Sequence, residues 1–407
     1  MSRDLHFYVV DDNLALAKTA EAVLENAGHR VTVCTESRRA LEAIERERPQ
    51  VVLLDLMMPD MDGFEVCRRL RENPALGELK IVICSSKGFQ YDRRRAAELG
   101  ADGYIQKPIR ADSFLAQIDR IVEERIEVEF WGVRGTLPRP GAESLRYGGN
   151  TSCVTVEFPK GPLFVFDAGS GIKRLGDQLM TRGRVEANLM LSHPHWDHIN
   201  AIPFFTPLYI PGNAIRIMGA SQGDKGVRDF VSAQMEGVYF PITIQEFASN
   251  VEFEDLPAGS RKLGEIEVRT MLLSHPGNCL GYRLSFGGRS LCYVTDNELF
   301  LPDSEFFSAE YEAALIEFVG GTDVLITDTT YTDAEYPTRV GWGHSCVSQV
   351  ADLAHRASVQ ALYLFHHDPD QDDDAIDAKF EAASSLLAEW GSSVRCVAPR
   401  EGDRVRI

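Results

Sequence analysis

Six consecutive residues, His193-Pro194-His195-Trp196-Asp197-His198, place four metal-capable side chains within about one turn of chain. They follow the apolar run Leu189-Met190-Leu191-Ser192, which reads as a buried strand ending in a loop. Imidazoles mixed with a carboxylate suit zinc, iron or manganese. Without a cation, so many His and Asp side chains crowded beside a strand would be poorly matched polar groups. The segment is expected to be a metal site.

Later apolar runs end in similar residues. Met271-Leu272-Leu273-Ser274 leads into His275, Leu291-Cys292-Tyr293-Val294-Thr295 into Asp296, and Ala361-Leu362-Tyr363-Leu364-Phe365 into His366. The spacing HxHxDH, followed in order by His, Asp and His at strand ends, resembles the metallo-β-lactamase superfamily. The resemblance implies that His193, His195 and His275 hold one metal and that Asp197, His198 and His366 hold the other. Asp296 would bridge the two, and Asp197 would serve catalysis as well as binding. His367 competes for the last position; the family pattern sets the ligand directly after the strand, which favours His366 and leaves His367 as an outer or solvent-facing neighbour. True β-lactamases often carry Cys where Asp296 stands, and flavo-diiron oxygen reductases put Glu where His195 stands. Persulfide dioxygenases and glyoxalase II enzymes share HxHxDH, so the motif leaves the reaction open. Two metals bridged by a carboxylate suit hydrolysis of phosphate esters. Zinc is expected first, with manganese or iron also compatible.

Two further motifs narrow the chemistry. Gly341-Trp342-Gly343-His344-Ser345 precedes a helical pattern carrying Val347, Val350, Ala351, Leu353 and Ala354. It resembles the tRNA 3′-processing endonucleases and related phosphodiesterases, which implies that His344 is the general acid. His344 is expected at a helix N-terminus, where the dipole disfavours the imidazolium form. Phe130-Trp131-Gly132-Val133-Arg134-Gly135-Thr136, with Arg146-Tyr147-Gly148-Gly149-Asn150-Thr151-Ser152, resembles a cyclic-nucleotide-phosphodiesterase-like branch. Arg134 or Arg146 could clamp a substrate phosphate bidentately; the alternative is that both pair with surface carboxylates. Asp167 and Asp328, each ending an apolar run, are read as buried hydrogen-bonding carboxylates beside the site and not as ligands.

The N-terminal third alternates strand-like and helix-like segments, which implies βαβ units and a parallel sheet. Its strands end in Asp11-Asp12, Asp55, Ser85-Ser86 and Lys107-Pro108. In such sheets ligands bind outside the carboxyl ends of the strands. Carboxylates, a hydroxyl and a Lys at one sheet edge suit Mg²⁺ and a phosphoryl group. The arrangement closely resembles the receiver domain of two-component response regulators. That implies Asp55 as nucleophile and phospho-acceptor, with Asp11, Asp12 and Asp55 at Mg²⁺ and the Met57 carbonyl assisting. Lys107 would pair with the phosphoryl oxygens, Ser85 would hydrogen-bond them, and Tyr104 would report the change. Ser85 replaces the more familiar Thr but keeps the hydroxyl.

The elements holding these residues are expected to form an α/β protein of two domains. Residues 1–124 would be a flavodoxin-like doubly wound parallel sheet, the receiver. Residues 125–407 would be an αββα sandwich of metallo-β-lactamase type. A helical stripe over Asp112 to Glu124 runs almost directly into the alternating Ile126-Glu127-Val128-Glu129-Phe130, with no Gly/Ser/Pro-rich spacer. Residues 203–250, with Pro203, Pro207, Pro211 and Pro241, are read as an insertion shaping the pocket rim, as a lid or a dimer surface.

Charge restricts the partners. Residues 1–125 carry 19 Lys+Arg and 22 Asp+Glu, so only −3 of the formal −19 falls there and −16 falls in the remainder. An acidic catalytic domain disfavours long nucleic acid, whereas a small phosphodiester such as a cyclic nucleotide meets less repulsion. Asp368 to Asp374 is read as a solvated loop. The eight Cys show no CxxC spacing, which points to a reducing cytoplasm without a disulfide framework. Neither a signal-peptide pattern nor a membrane-length apolar run is present. The expectation is a cytoplasmic response regulator, phosphorylated by a sensor histidine kinase and compatible with a homodimer, whose output is a metal-dependent hydrolase, most simply a phosphodiesterase. Iron-based redox sensing and non-catalytic binding are the other classes considered for the output.

Overall fold

The computed structural model describes residues 4–76, 79–86, 90–122, 126–159 and 161–407. The chain divides into two compact units, Met1–Arg125 and Ile126–Ile407. The join discussed above includes residues 123–125, which lie outside the described residues.

In the first unit five parallel strands, β1 (His6–Val10), β2 (Arg30–Cys34), β3 (Val51–Asp55), β4 (Lys80–Ser85) and β5 (Gly103–Gln106), stand in the order β2-β1-β3-β4-β5. This is the flavodoxin-like doubly wound order. The central β1 and β3 are buried throughout, because helices cover both faces of a parallel sheet. Residues such as Val52, Leu54 and Phe64 fill one face, and Phe7, Leu53 and Phe114 fill the other. Gly63 permits a close approach: a Cβ there would lie 2.2 Å from the Asp55 carbonyl oxygen.

The second unit is an αββα sandwich. One seven-stranded sheet contains β6 (Glu127–Gly132), β7 (Cys153–Glu157), β8 (Leu163–Phe166), β9 (Glu186–Met190), β10 (Ala214–Gly219) and β11 (Asn250–Asp255). The facing seven-stranded sheet contains β12 (Gly259–Leu263), β13 (Ile266–Leu272), β14 (Leu280–Phe286), β15 (Arg289–Val294), β16 (Val324–Asp328), β17 (Ala361–Phe365) and β18 (Arg395–Val397). The last strand, β19 (Arg404–Arg406), returns to the first sheet and pairs with β6. Aromatic residues from both inner faces, among them Phe130, Phe166, Tyr282, Tyr293 and Phe365, form the central core. The helices Ile172–Leu179 and Val227–Ala233 pack on one outer face. Ala309–Val319, Val347–Arg356 and Asp373–Glu389 pack on the other.

Glu127 and Glu129 of β6 are buried. Arg406 and Arg404 from β19 reach them at 3.1 Å, so a carboxylate–guanidinium ladder satisfies what would otherwise be costly buried charge. Residues 203–250 are not an insertion: β10 lies inside the sheet, hydrogen-bonded on both sides to β9 and β11. Its apolar Ile215 and Ile217 belong to the outer-face core, while Val238 and Tyr239 are exposed. Among the described residues, no helix is long and apolar enough to cross a membrane.

Candidate metal centre and phospho-acceptor site

The carboxyl ends of β8, β9, β13, β15, β16 and β17 deliver Asp167, the His193–His198 segment, His275, Asp296, Asp328 and His366. Strand ends suit this purpose because the sheet fixes the backbone while the loop beyond it turns a side chain across the edge. Asp167, Asp296 and His366 all have left-handed backbone, at φ 57, 45 and 60°. Non-glycine residues adopt that conformation at a cost, and such strain gathers at functional sites.

Two ligand groups result. His193, His195 and His275 converge in one, and Asp197, His198, Asp296 and His366 in the other. Asp296 faces both. Its Oδ1 lies 3.7 Å from His193 Nε2, and its Oδ2 lies 3.1 Å from His198 Nε2 and 3.3 Å from His366 Nε2. The donor set fits two divalent cations. Buried Nε2 atoms of His193 and His198 have no hydrogen-bond partner, and His195 Nδ1 points at His275 Nε2 across 3.2 Å. Lone pairs aimed at a common point are what a cation would satisfy.

A second layer fixes the tautomers. His198 Nδ1 donates to Asp167 at 2.7 Å, and His275 Nδ1 donates to the Gly343 carbonyl at 2.9 Å, which leaves each Nε2 free to coordinate. Asp167 is completely buried and also accepts from the Ser192 amide, the Ser192 hydroxyl and the Tyr293 hydroxyl. His366 Nδ1 lies 3.0 Å from Thr330 Oγ1, and the Thr136 amide donates to Asp197 at 2.7 Å. Burial, reinforced by the neighbouring imidazoles, holds His193, His195 and His275 below the usual histidine range, so their lone pairs are available. Burial opposes charge on His198, but Asp197, Asp296 and Asp167 around it raise it well above that range. A cation held at Nε2 would take the place of that proton.

His344 Nδ1 lies 2.8 Å from Asp328 Oδ2 and 4.0 Å from Asp296 Oδ1, and its ring stacks 5.0 Å from that of His366. The helix foreseen at His344 begins at Val347, with Cys346 as its cap, so the dipole expectation is corrected. Burial disfavours the imidazolium, yet Asp328 and then Asp296 push His344 up to about 9. Asp328 is itself held by the Asn297 and Thr330 amides and the Thr330 hydroxyl.

For the arginines the structure favours the alternative of pairing with carboxylates over the phosphate clamp. Arg134 is wholly buried and donates to the carbonyls of Gly148 and Gln371, with Asp373 at 3.4 Å. Arg146 pairs with Asp374 at 2.9 Å and with Asp377. Neither is free for a substrate phosphate. The Asp368–Asp374 stretch is a solvated loop only in part: Asp370, Asp372 and Asp374 are exposed, whereas Asp373 is buried and accepts from the Arg146 and Tyr147 amides as well. The Phe130–Thr136 motif supports the ligands through its backbone, since a Cβ on Gly135 would lie 2.2 Å from the His366 ring. His367 is not solvent-facing; it is completely buried, with its ring 6.3 Å from Tyr147.

Glu298 escaped sequence reasoning. This buried carboxylate accepts from the Gly341 and Gly343 amides, each at 2.7 Å, and from the Tyr336 hydroxyl at 3.0 Å, and so anchors the loop bearing His344. Its only signal was a third polar residue in Asp296-Asn297-Glu298 after a strand.

In the first unit Asp11, Asp12 and Asp55 gather within reach of one cation. Lys107 Nζ lies 2.6 Å from Asp11 and 2.7 Å from Asp55. The Met57 amide donates to Asp55 at 2.8 Å. Burial raises Asp11 above the usual carboxylate range despite Lys107, whereas the two carboxylates raise Lys107 against its own burial. Tyr104 and Ser85 are hydrogen-bonded to each other.

Strand-end carboxylates around a lysine on one unit, and a His/Asp cluster on a sandwich in the other, define a receiver joined to a metallo-β-lactamase fold. Residues 164–367 match the beta-lactamase superfamily domain and residues 7–119 match the response regulator receiver domain. The chain belongs to the beta-lactamase superfamily, with a receiver domain fused ahead of that domain. It is 28% identical over 177 residues to the sensory transduction protein RegX3 of Mycolicibacterium smegmatis, covering 44% of this chain and 76% of that protein. It is 32% identical over 114 residues to the alkaline phosphatase synthesis transcriptional regulatory protein PhoP of Bacillus subtilis, covering 28% of this chain and 47% of that one. The chain thus spans about half the length of the latter. Among solved structures it resembles the metallo-beta-lactamase fold protein YhfI of Bacillus subtilis, at 16% identity and TM-score 0.49, over 70% of this chain and 100% of that one. It also resembles a diphosphatase from the PhnP family, at 17% identity and TM-score 0.48, over 69% of this chain and 98% of that one.

Proposed function

We propose that this protein is a response regulator whose output is a dinuclear metallohydrolase, a phosphodiesterase acting on a small phosphodiester such as a cyclic nucleotide. The observation that carries the reading is Asp296, whose two oxygens face two ligand sets while His344 stands beside it on Asp328. His193, His195 and His275 would hold one cation, Asp197, His198 and His366 the other, and Asp296 both. Bound divalent cations there supply Lewis acidity at a phosphoryl oxygen and an activated water, with zinc the first expectation and manganese or iron compatible.

The chain's own residues do the rest. Asp167 keeps His198 in one tautomer, and the Thr136 amide orients Asp197. His344 Nδ1 is committed to Asp328, so Nε2 is the atom that delivers a proton to the leaving oxygen. The formal charge of −16 over residues 126–407 supports a small substrate over a long polyanion.

Regulation enters through the receiver. A sensor histidine kinase would supply the phosphoryl group, Asp55 would accept it beside Mg²⁺ held with Asp11 and Asp12, and Lys107, Ser85 and Tyr104 would respond to it. Hydrolysis of bis(p-nitrophenyl) phosphate by the metal-loaded full chain, with and without beryllofluoride, tests both halves. Turnover that changes with beryllofluoride is expected. Absence of turnover with metal bound would overturn the enzymatic half, and turnover indifferent to beryllofluoride the regulatory half.

A further inference from the structure

Arg339 stands apart from the arginines of residues 130–152. Arg134, Arg139 and Arg146 are each tied to carbonyls or carboxylates. The Arg339 guanidinium has no carboxylate or carbonyl partner among the described residues. Two aromatic rings hold it instead, with the guanidinium carbon 4.6 Å from the Trp342 ring centre and 5.7 Å from that of Tyr331. Stacking on ring faces fixes the plane of the group while leaving its N–H donors unspent. In a unit of formal charge −16, a fixed cation without an anionic partner is an unmet electrostatic demand.

Its position says what would meet that demand. The Tyr331 ring meets the His344 ring edge-on at 5.9 Å, so the guanidinium lies one aromatic ring beyond the general acid. Trp342 is 57% exposed and sits two residues before His344, on the loop that Glu298 anchors. A phosphoryl group being hydrolysed would occupy the cluster itself, on the near side of Tyr331. A group bound by Arg339, beyond Tyr331, would be a different part of the same small molecule.

We propose that Arg339, stacked on Trp342 and Tyr331, binds a second, non-scissile phosphoryl group of the substrate. The natural substrate is then a small phosphodiester carrying an additional phosphate, a narrower class than the phosphodiesterase reading on which this rests. The planar fork of Arg matches two phosphoryl oxygens, which a lysine matches only as a point charge.

The test compares binding of thymidine bisphosphate and thymidine monophosphate to the metal-loaded full chain by calorimetry. The wild type should prefer the bisphosphate by about tenfold or more, the worth of a charge-assisted bond. Arg339→Gln should bring that ratio close to one, and Arg339→Lys should restore part of it. A ratio near one in the wild type, a ratio unchanged in Arg339→Gln, or an equal loss for both ligands would each overturn the proposal; the last marks a merely structural role. Turnover of the p-nitrophenyl ester of thymidine monophosphate is followed in parallel. No turnover with the affinity ratio intact overturns the phosphodiesterase reading alone.

Discussion

The two units each gather carboxylates at the carboxyl edge of a sheet, but they treat them differently. In the receiver, Asp12 is exposed, and Asp11 and Asp55 share one lysine as their cationic partner. In the sandwich, Asp167, Asp296 and Asp328 are buried, and a layer of hydroxyls, amides and imidazoles surrounds them. A site with one exposed carboxylate, whose two buried carboxylates share a single lysine, suits a cation and a phosphoryl group that come and go. A deep site with oriented tautomers suits cations that stay, because the cost of arranging the ligands has been met before binding. Signal reception and turnover thus call for opposite degrees of preorganisation.

The largest expected effect tests the deep site at its centre. Asp296→Ala removes the one carboxylate common to both ligand sets, so metal content measured by elemental analysis should fall sharply and hydrolysis should drop below detection. Retention of both metals would break the comparison, since the deep site would then not depend on its bridge. Metal affinity should also fall with acid, because ligand nitrogens must lose their protons to coordinate.

A smaller effect concerns Lys379, buried behind the site and donating to the carbonyls of Thr329 and Thr330. Burial pushes it down to about 7 from its ordinary 10.5. Between those values the unfolded chain binds more protons than the folded one, so this group makes stability rise with pH across that window. Raising the pH from about 7 to about 9 should add about 2 kcal/mol to the unfolding free energy of this unit by denaturant titration, and Lys379→Met should remove that gain. A pH slope surviving in Lys379→Met would assign the effect elsewhere.

Asp167→Asn keeps the shape but weakens the partner of His198, and affinity at that site should fall by about tenfold by competition with a chelator. An unchanged affinity would mean that the second layer does not hold the tautomer. The smallest effect belongs to the receiver site. Asp55→Asn should leave unstimulated hydrolysis within about twofold while abolishing its response to beryllofluoride. A response that persists would remove Asp55 from the signalling role.

How much of this was legible along the chain follows from the range of the interactions involved. The geometry brings together the same seven side chains, His193, His195, Asp197, His198, His275, Asp296 and His366, that stand at the ends of apolar runs. Strand ends can be read locally because a buried strand is a run of apolar residues, and the residue that follows must cross the sheet edge. The receiver residues Asp11, Asp12, Asp55 and Lys107 were legible for the same reason. The roles of the charged side chains on loops were not. Arg134 looked like a phosphate clamp until folding brought Gln371 and Asp373 to it from more than 200 positions away. Glu127 and Glu129 take their partners from the last strand, which lays two arginines beside them. Glu298 and Arg339 acquire their meaning only from two glycine amides and two aromatic rings on the loop that also carries His344. Apolar patterning is written into neighbouring residues, whereas a charge takes its role from whichever partner or void long-range packing places against it.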